Sequence, residues 1–265
     1  MMLQDKHFIV IGTGNIGCIL VRRLLAAGVQ ADHLAICDTD TEHRDRASRE
    51  FGVQAVALQD EIPCRADAVL IATTPDGALE VLRTIAPRLH KGQVVICFAS
   101  AFPLSHLEEL APAGVCVARV ITNTPSMVGA GINPVVYGHC ISDNMRALVA
   151  AIMATLGDSI AVHDEQMNWC YALTAAAMRA LLPVVEGMSQ AGIDAGLSSS
   201  DARRIAAQVL HGTAELVMHT DMSFDELKAL TPMQVVDEAL VARLFRDAAH
   251  AAKDKADQNE HRLFG

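Results

Sequence analysis

The chain has 265 residues with 21 Lys+Arg against 31 Asp+Glu, and its net charge of −10 argues against a nucleic-acid backbone as partner. Hydrophobic residues make up 51% and charged ones 20%, with a mean hydropathy of +0.27, which excludes a disordered chain and supplies a core for one large domain or two smaller ones. No apolar stretch approaches the roughly 20 residues that cross a bilayer, so a membrane partner is not expected either.

Arg146 and Gly157 bracket one apolar candidate and Arg179 interrupts another, while the start M-M-L-Q-D-K-H has no apolar signal core. A soluble, cytoplasmic protein is the expectation. The seven cysteines (Cys18, Cys37, Cys64, Cys97, Cys116, Cys140, Cys170) are odd in number, include no C-x-x-C pair and mostly fall in apolar segments, which reads as reduced, buried thiols.

From residue 7 to about 160, strand-like runs at 8–11, 34–37, 68–72, 94–97 and 115–120 alternate with segments of helical period. That alternation predicts an α/β fold, with βαβ units around a Rossmann-like parallel sheet. Residues 16–27 carry the first helix, which closes on Gly28. Residues 134–137 are expected to add an edge strand. After Gly157 the texture turns helical, at 173–192, 200–219 and 235–253, predicting a dinucleotide-binding domain over 1–160 and an all-helical dimerisation and substrate domain over 161–265. Residues 174–188 are apolar nearly all round and need cover on every side, which predicts a homodimer. Ser198, Ser199, Ser200 and Asp201 supply a helix N-cap region, and residues 253–262 read as solvated and frayed.

Between the first strand and helix, residues 11–17 read I-G-T-G-N-I-G and place Gly12, Gly14 and Gly17 in G-x-G-x-x-G register. Gly12 permits a tight turn, Gly14 lets backbone approach a pyrophosphate, and Gly17 lets helix and strand pack closely. Asp38 follows at the end of the second strand, placed to accept hydrogen bonds from ribose hydroxyls and to repel a 2′-phosphate. The expected cofactor is therefore NAD(H), with NADP(H) as the alternative, because His43, Arg44 and Arg46 stand just downstream. These three read equally as a solvated helix face. No G-K-[ST] follows the glycines, which excludes a P-loop nucleotide triphosphatase.

Three segments together resemble the pyrroline-5-carboxylate reductases: the glycine turn with A-T-T-P at 72–75, the stretch V-A-R-V-I-T-N-T-P-S-M-V-G-A-G at 117–131, and the helical half from Asp164 through A-G-I-D-A-G-L at 191–197 to Q-V-L-H-G at 208–212. The resemblance implies a nicotinamide-binding domain followed by a helical dimerisation domain, with a cyclic imine reduced near the dimer interface. On matching positions it implies that Gly12, Thr13, Gly14, Asn15 and Ile16 hold the pyrophosphate. Ala72, Thr73, Thr74 and Pro75 would flank the adenosine and ribose, and Asn123, Thr124 and Pro125 would shape the nicotinamide end with Ala99 and Ala101 nearby.

The chain departs from the family where substrate is held. The family's S-G-S-G-P becomes T-A-A-A-M at 174–178, Arg179 replaces an alanine, and S-P-G-G-T-T becomes T-P-M-Q-V-V at 231–236. With that anion-holding turn missing, the candidate catalytic and substrate residues are Arg179, Thr174 and Tyr171. Arg179 within so apolar a helix needs an anionic partner, either a substrate carboxylate or Asp164, Glu165 or Glu186. The two hydroxyls are placed to hold substrate or donate a proton, or they satisfy nearby backbone. Trp169 and Met178 read as packing. The 11 histidines show no metal-ligand spacing. The expected activity is NAD(P)H-dependent reduction of the C=N bond of a small cyclic imine; the alternative is a cofactor-binding protein of the same fold without turnover.

Overall fold

The computed structural model describes residues 3–60, 65–231 and 233–265. Cys64 and Pro232, which the sequence reading used, lie outside them.

The described residues form one eight-stranded sheet, β1 (Phe8–Ile11), β2 (Leu34–Cys37), β3 (Gln54–Ala55), β4 (Ala68–Ile71), β5 (Val94–Cys97), β6 (Cys116–Val120), β7 (Gly131–Tyr137) and β8 (Gly157–Ala161), in the order β3-β2-β1-β4-β5-β6-β7-β8. From β3 to β6 all pairs are parallel; β7 runs antiparallel to β6, and β8 parallel to β7. Strands β1, β2, β4 and β5 are buried at every position, as expected where helices cover both faces. The connecting helices are α1 (Asn15–Ala26), α2 (Thr41–Phe51), α3 (Pro75–Ile85), α4 (Leu104–Leu110) and α5 (Asp143–Leu156). Side chains from alternate strand positions divide into two apolar layers, one around Phe8, Val10, Leu20 and Ile152, the other around Ile9, Ile71, Leu82 and Phe102. The strand order reverses about β1, and the carboxyl ends of β1, β2, β4, β5 and β6 meet on one edge, where ligands bind in open α/β sheets.

Two expectations need correction here. The run at 134–137 is not an edge strand: β7 lies inside the sheet, and β8 covers it. Strand β8, reading G-D-S-I-A, carries almost no β-branched signal and forms because Gly157 (φ +138°) lets the chain come up against Gly131, whose backbone nitrogen would lie 2.5 Å from an added Cβ. Residues 253–262 are not frayed. They belong to the long last helix, in which Ala256 is 3% exposed and Phe264 packs its ring against Phe102 at 4.8 Å.

The helical part comprises α6 (Met167–Tyr171), a π-helical turn at Ala172–Ala176, α7 (Ala177–Asp194), α8 (Ser199–His219), α9 (Phe224–Ala229) and α10 (Glu238–Phe264). Ser198 accepts from the Asp201 N–H to cap α8, and Gly192 of α7 meets Ala202 of α8, where an added Cβ would stand 3.0 Å from the alanine methyl. The chain divides into two compact units, one running to Ala175 and including Ala252–Gly265, the other Ala176–Ala251. In the second unit Leu181, Leu182, Leu216, Met218 and Leu244 are all more than 40% exposed, a large apolar surface for a single copy. Cys37, Cys97 and Cys116 are buried, whereas Cys140 is exposed; burial pushes the Cys37 and Cys97 thiols up to about 11, so both stay protonated. No described helix is long and apolar enough to cross a membrane.

Candidate active site

The site grows from the turn between β1 and α1. Gly12 has φ +100°, and a Cβ there would lie 2.6 Å from the Ala72 carbonyl oxygen, so the turn after β4 closes directly on it. A Cβ on Gly17 would stand 1.8 Å from the Gly12 carbonyl oxygen, which makes glycine obligatory where α1 crosses its own entry turn. Gly14 differs: nothing lies within 4 Å of its added Cβ, so its unused space opens outward. It is also the N-cap of α1 and offers no side-chain cap, whereas Asp40, Thr74 and Ser142 cap α2, α3 and α5. The first-turn amides of α1 thus retain their hydrogen-bonding capacity beside open space, at the positive end of a helix. This bare, uncapped turn fits a diphosphate.

On one side of the turn lies a cleft of about 360 Å³, lined among others by Gly12, Gly14, Asp38, His43, Thr73 and Glu80. Asp38 is fixed there by three donors: the Thr13 N–H at 2.6 Å, the Thr13 hydroxyl at 2.8 Å and the Asp40 N–H at 2.9 Å. Burial pushes its carboxyl up, but these hydrogen bonds outweigh burial and hold it below the usual carboxylate range. Thr13, 2% exposed, stands behind Asp38 and lines neither cleft. Of the downstream basic residues His43 reaches the cleft, 3.3 Å from Asp40, while Arg44 turns to Asp45 at 2.8 Å. Glu80, which sequence reasoning missed, adds a second carboxylate to this cleft.

On the other side lies a cleft of about 410 Å³, lined by Asn15, Ile16, Pro75, Phe98, Ser100, residues 121–124, Tyr171 and Ala175. Ala72, Thr73 and Thr74 line both clefts and form the partition between them. Ala99 and Ala101 are 1% and 2% exposed and lie behind this wall; the residues presented are Phe98 and Ser100. Ala101 holds φ +56°, a strained left-handed conformation for a residue with a Cβ, and it turns the chain immediately after Ser100. Pro125 lies in the 3-10 turn beyond the cleft, and Asn123 accepts the Ile132 N–H on its Oδ1 at 3.3 Å.

That second wall is held from behind by a buried polar network. The Thr122 hydroxyl donates to Asn133 Oδ1 at 2.6 Å and lies 2.9 Å from the Ser126 hydroxyl; the Asn133 amide donates to the Asp158 carbonyl at 2.8 Å. Gly131 makes room for it, since a Cβ there would come within 1.9 Å of Ser126 Oγ. The signal was present in the N-T-P-S-M-V-G-A-G-I-N run.

The three candidate substrate residues separate. Tyr171 lines the 410 Å³ cleft. Thr174, in the π-helical turn, donates its hydroxyl to the Cys170 carbonyl at 2.7 Å, as a hydroxyl on a helix commonly does. Arg179 belongs to the other unit, is exposed, and makes no hydrogen bond or ion pair among the described residues. Asp164, one of its expected partners, is taken by Arg119, whose Nη1 lies 2.7 Å from Asp164 Oδ1. No group of three or more His, Cys, Asp or Glu side chains that could hold a metal ion occurs among the described residues.

Comparison with known proteins places this geometry. Residues 7–100 match the family model described as NADP oxidoreductase coenzyme F420-dependent, and residues 164–259 match that of pyrroline-5-carboxylate reductase dimerisation. A pyrroline-5-carboxylate reductase of Corynebacterium melassecola is 26% identical over 261 residues, spanning 94% of this chain and 97% of the relative. Pyrroline-5-carboxylate reductase 3 of Rattus norvegicus is 26% identical over 260 residues, spanning 96% and 95%. Among solved structures, the pyrroline carboxylate reductase of Plasmodium falciparum with NADP bound superposes with a TM-score of 0.84 at 19% identity, over 97% of this chain and 99% of that one.

Proposed function

Since the chain belongs to the pyrroline-5-carboxylate reductase family, we propose that it reduces the C=N bond of a small cyclic imine with a nicotinamide dinucleotide, NADH in preference to NADPH, as a homodimer. One observation carries this reading: an uncapped glycine turn stands between two clefts that share a single partition, so a molecule with two nucleoside-like ends joined by a diphosphate fits along it.

The residues divide the work by position. Gly12, Gly14 and the first-turn amides of Asn15 and Ile16 would hold the diphosphate. Asp38, ionised and fixed by Thr13, would accept the adenosine ribose hydroxyls, with Glu80 adding negative charge to the same cleft. Residues 121–124, stiffened by the Thr122–Asn133 network, would form the floor under the other end, and Phe98 and Tyr171 would exclude water. When bound, the reduced nicotinamide supplies the hydride, and the protein contributes binding, orientation and electrostatics. An iminium is already electrophilic, so orientation is the main demand on the chain. Tyr171 is the hydroxyl of the candidate set with no backbone acceptor among the described residues, and it would hold a proton at Oη; Thr174 is committed to Cys170.

The test is oxidation of NADH and NADPH, followed by absorbance, with pyrroline-5-carboxylate, pyrroline-2-carboxylate and an uncharged pyrroline. Turnover of at least one imine with faster NADH oxidation is expected. A second reading, a cofactor-binding protein without turnover, is favoured by the replacement of the family's substrate-holding turn by T-P-M-Q-V-V at 231–236. Saturable cofactor binding with no turnover of any imine would establish that reading, and absence of binding to either cofactor would overturn both.

A further inference from the structure

Behind the 410 Å³ cleft, three wall segments meet at one buried guanidinium. Arg119 on β6 is 1% exposed. Its Nη1 donates to Asp164 Oδ1 at 2.7 Å; its Nη2 lies 3.4 Å from Asn168 Oδ1 and 3.5 Å from Glu260 Oε2. The other Asp164 oxygen accepts the Leu104 N–H at 2.9 Å, at the start of α4. Asn168 in turn donates to Asp257 at 2.9 Å and to Glu260 at 3.1 Å, and Asp257 is paired with Lys253.

Each tied segment runs directly into the cleft. Strand β6 continues into residues 121–124. The loop before Leu104 carries Phe98 and Ser100. Asn168 lies three residues before Tyr171, one helical turn away. The last turns of α10, through Glu260 and Asp257, close the network from the outside.

The chemistry proposed above gives Arg119 no task, since it does not line the cleft. A buried arginine is a poor choice for stability alone, because an apolar side chain of similar volume packs as well without desolvating a charge. Here the arrangement is incomplete besides: Arg119 Nε has no hydrogen-bond partner among the described residues. What a guanidinium does that an apolar side chain cannot is fix several acceptors at set directions at once.

We propose that Arg119 is a positioning residue: through Asp164, Asn168 and Glu260 it sets the spacing of the 98–104, 121–124 and 167–175 segments around the imine, and the Glu260 turn of α10 is the latch that completes it. What fills the cleft rests on the reductase reading above; the coupling of the three segments does not.

Changing Arg119 itself would strand Asp164 and risks an unfolded chain, so the test uses the outer member. Glu260→Ala and Glu260→Gln are compared with the parent protein by hydrogen exchange, emission of Trp169 and steady-state kinetics. Trp169 is the one tryptophan of the chain, next to Asn168 and with Lys253 Nζ 5.7 Å from its ring centre. Glu260→Ala should speed exchange in all three wall segments by about tenfold while leaving residues 8–20 unchanged. It should shift Trp169 emission and raise the imine KM about fivefold or more, with kcat and NADH affinity within about twofold. Glu260→Gln, which keeps an acceptor for Arg119 and Asn168, should restore most of each effect.

Unchanged exchange in the wall segments would overturn the proposal. So would uniform loss of protection across the sheet with kcat, KM and NADH affinity falling together and no rescue by Gln. If the parent protein reduces no imine, the reductase reading fails, and the exchange pattern with its rescue still decides the coupling.

Discussion

Replacing Asp38 by Asn is the sharpest probe of the cofactor assignment, because the carboxylate is held by three donors and its charge faces the cleft. Asn keeps an acceptor for the Thr13 N–H and hydroxyl at 2.6 and 2.8 Å, but its amide nitrogen then faces the Asp40 N–H, now 2.9 Å from an oxygen. Losing that one bond costs about 1–2 kcal/mol of local stability, which leaves the fold intact. The electrostatic effect is larger. A carboxylate and one phosphate charge repel by about 4 kcal/mol at 4 Å and about 2 kcal/mol at 8 Å with an effective dielectric of about 20. Salt screening brings this to about 1.4–2.7 kcal/mol, or roughly tenfold to a hundredfold in relative kcat/KM. The parent protein is expected to prefer NADH over NADPH by that ratio, and Asp38→Asn to lose at least about tenfold of it, mostly through a higher NADH KM and a lower NADPH KM. Initial rates with both cofactors at low and high ionic strength measure it, and the preference should shrink as salt rises. An unchanged ratio in the variant, or a parent enzyme that prefers NADPH, would refute the argument.

Gly14→Ala places its methyl in open space and should leave the melting temperature nearly unchanged while weakening dinucleotide binding about tenfold or more in a fluorescence titration. Gly17→Ala, with its Cβ 1.8 Å from the Gly12 carbonyl, should instead destabilise the fold by several kcal/mol in denaturant unfolding. Asp38 and Asp67 both have carboxyls held below their ordinary range: burial raises each, but Thr13 and Asp40 outweigh it for Asp38, and Lys6 and His7 for Asp67. Their contribution is therefore present above the ordinary carboxylate pKa, about 4, and is lost as pH falls through the lower folded values, so chemical denaturation should show stability dropping below about pH 4 and less steeply in Asp67→Asn. Thr122→Val removes the hydroxyl between Ser126 and Asn133 inside a buried network and should cost about 1–3 kcal/mol by thermal unfolding. Arg179→Met should leave stability within about 0.5 kcal/mol, because the side chain is exposed without a partner among the described residues. A selective rise in the KM for pyrroline-5-carboxylate over an uncharged pyrroline would mark Arg179 as the carboxylate's partner.

The parallel part of the fold was legible because its signals are local and mutually consistent. The runs 8–11, 34–37, 68–72, 94–97 and 115–120 are short, apolar and β-branched, and glycines punctuate them where the chain must turn left-handed, as at Gly12 and Gly28. Strand β8 was not legible: G-D-S-I-A becomes a strand only because β7 offers it an edge and Gly157 admits the close approach to Gly131. The same holds for the 253–262 segment. Its charges read as a solvated end, yet one face carries Ala256 and Phe264 into the core and Glu260 towards Arg119, and alternation of charge along a helix does not reveal which face is buried.

The site divides along the same line. The glycine turn and Asp38 are legible because the residues proposed to hold a diphosphate and a ribose lie at fixed spacing along one stretch of chain. The rest of the cleft is assembled from non-adjacent segments, and there the sequence offers Asp164, fifteen residues away in the same helical half, as one of several anionic partners for Arg179, beside Glu165, Glu186 and a substrate carboxylate. The structure pairs Asp164 with Arg119, forty-five residues earlier on a strand. A guanidinium inside an apolar helix requires an acid, but exposure removes that requirement for Arg179. Burial imposes it on Arg119, whose strand position flanked by Ala118 and Val120 hides it among core residues in any reading of hydropathy. A buried charge on a strand that ends in the cleft therefore reports on the site more reliably than an exposed one on a helix. It can keep its charge only if the acids around it hold still, and what they hold still here is the wall beside Tyr171.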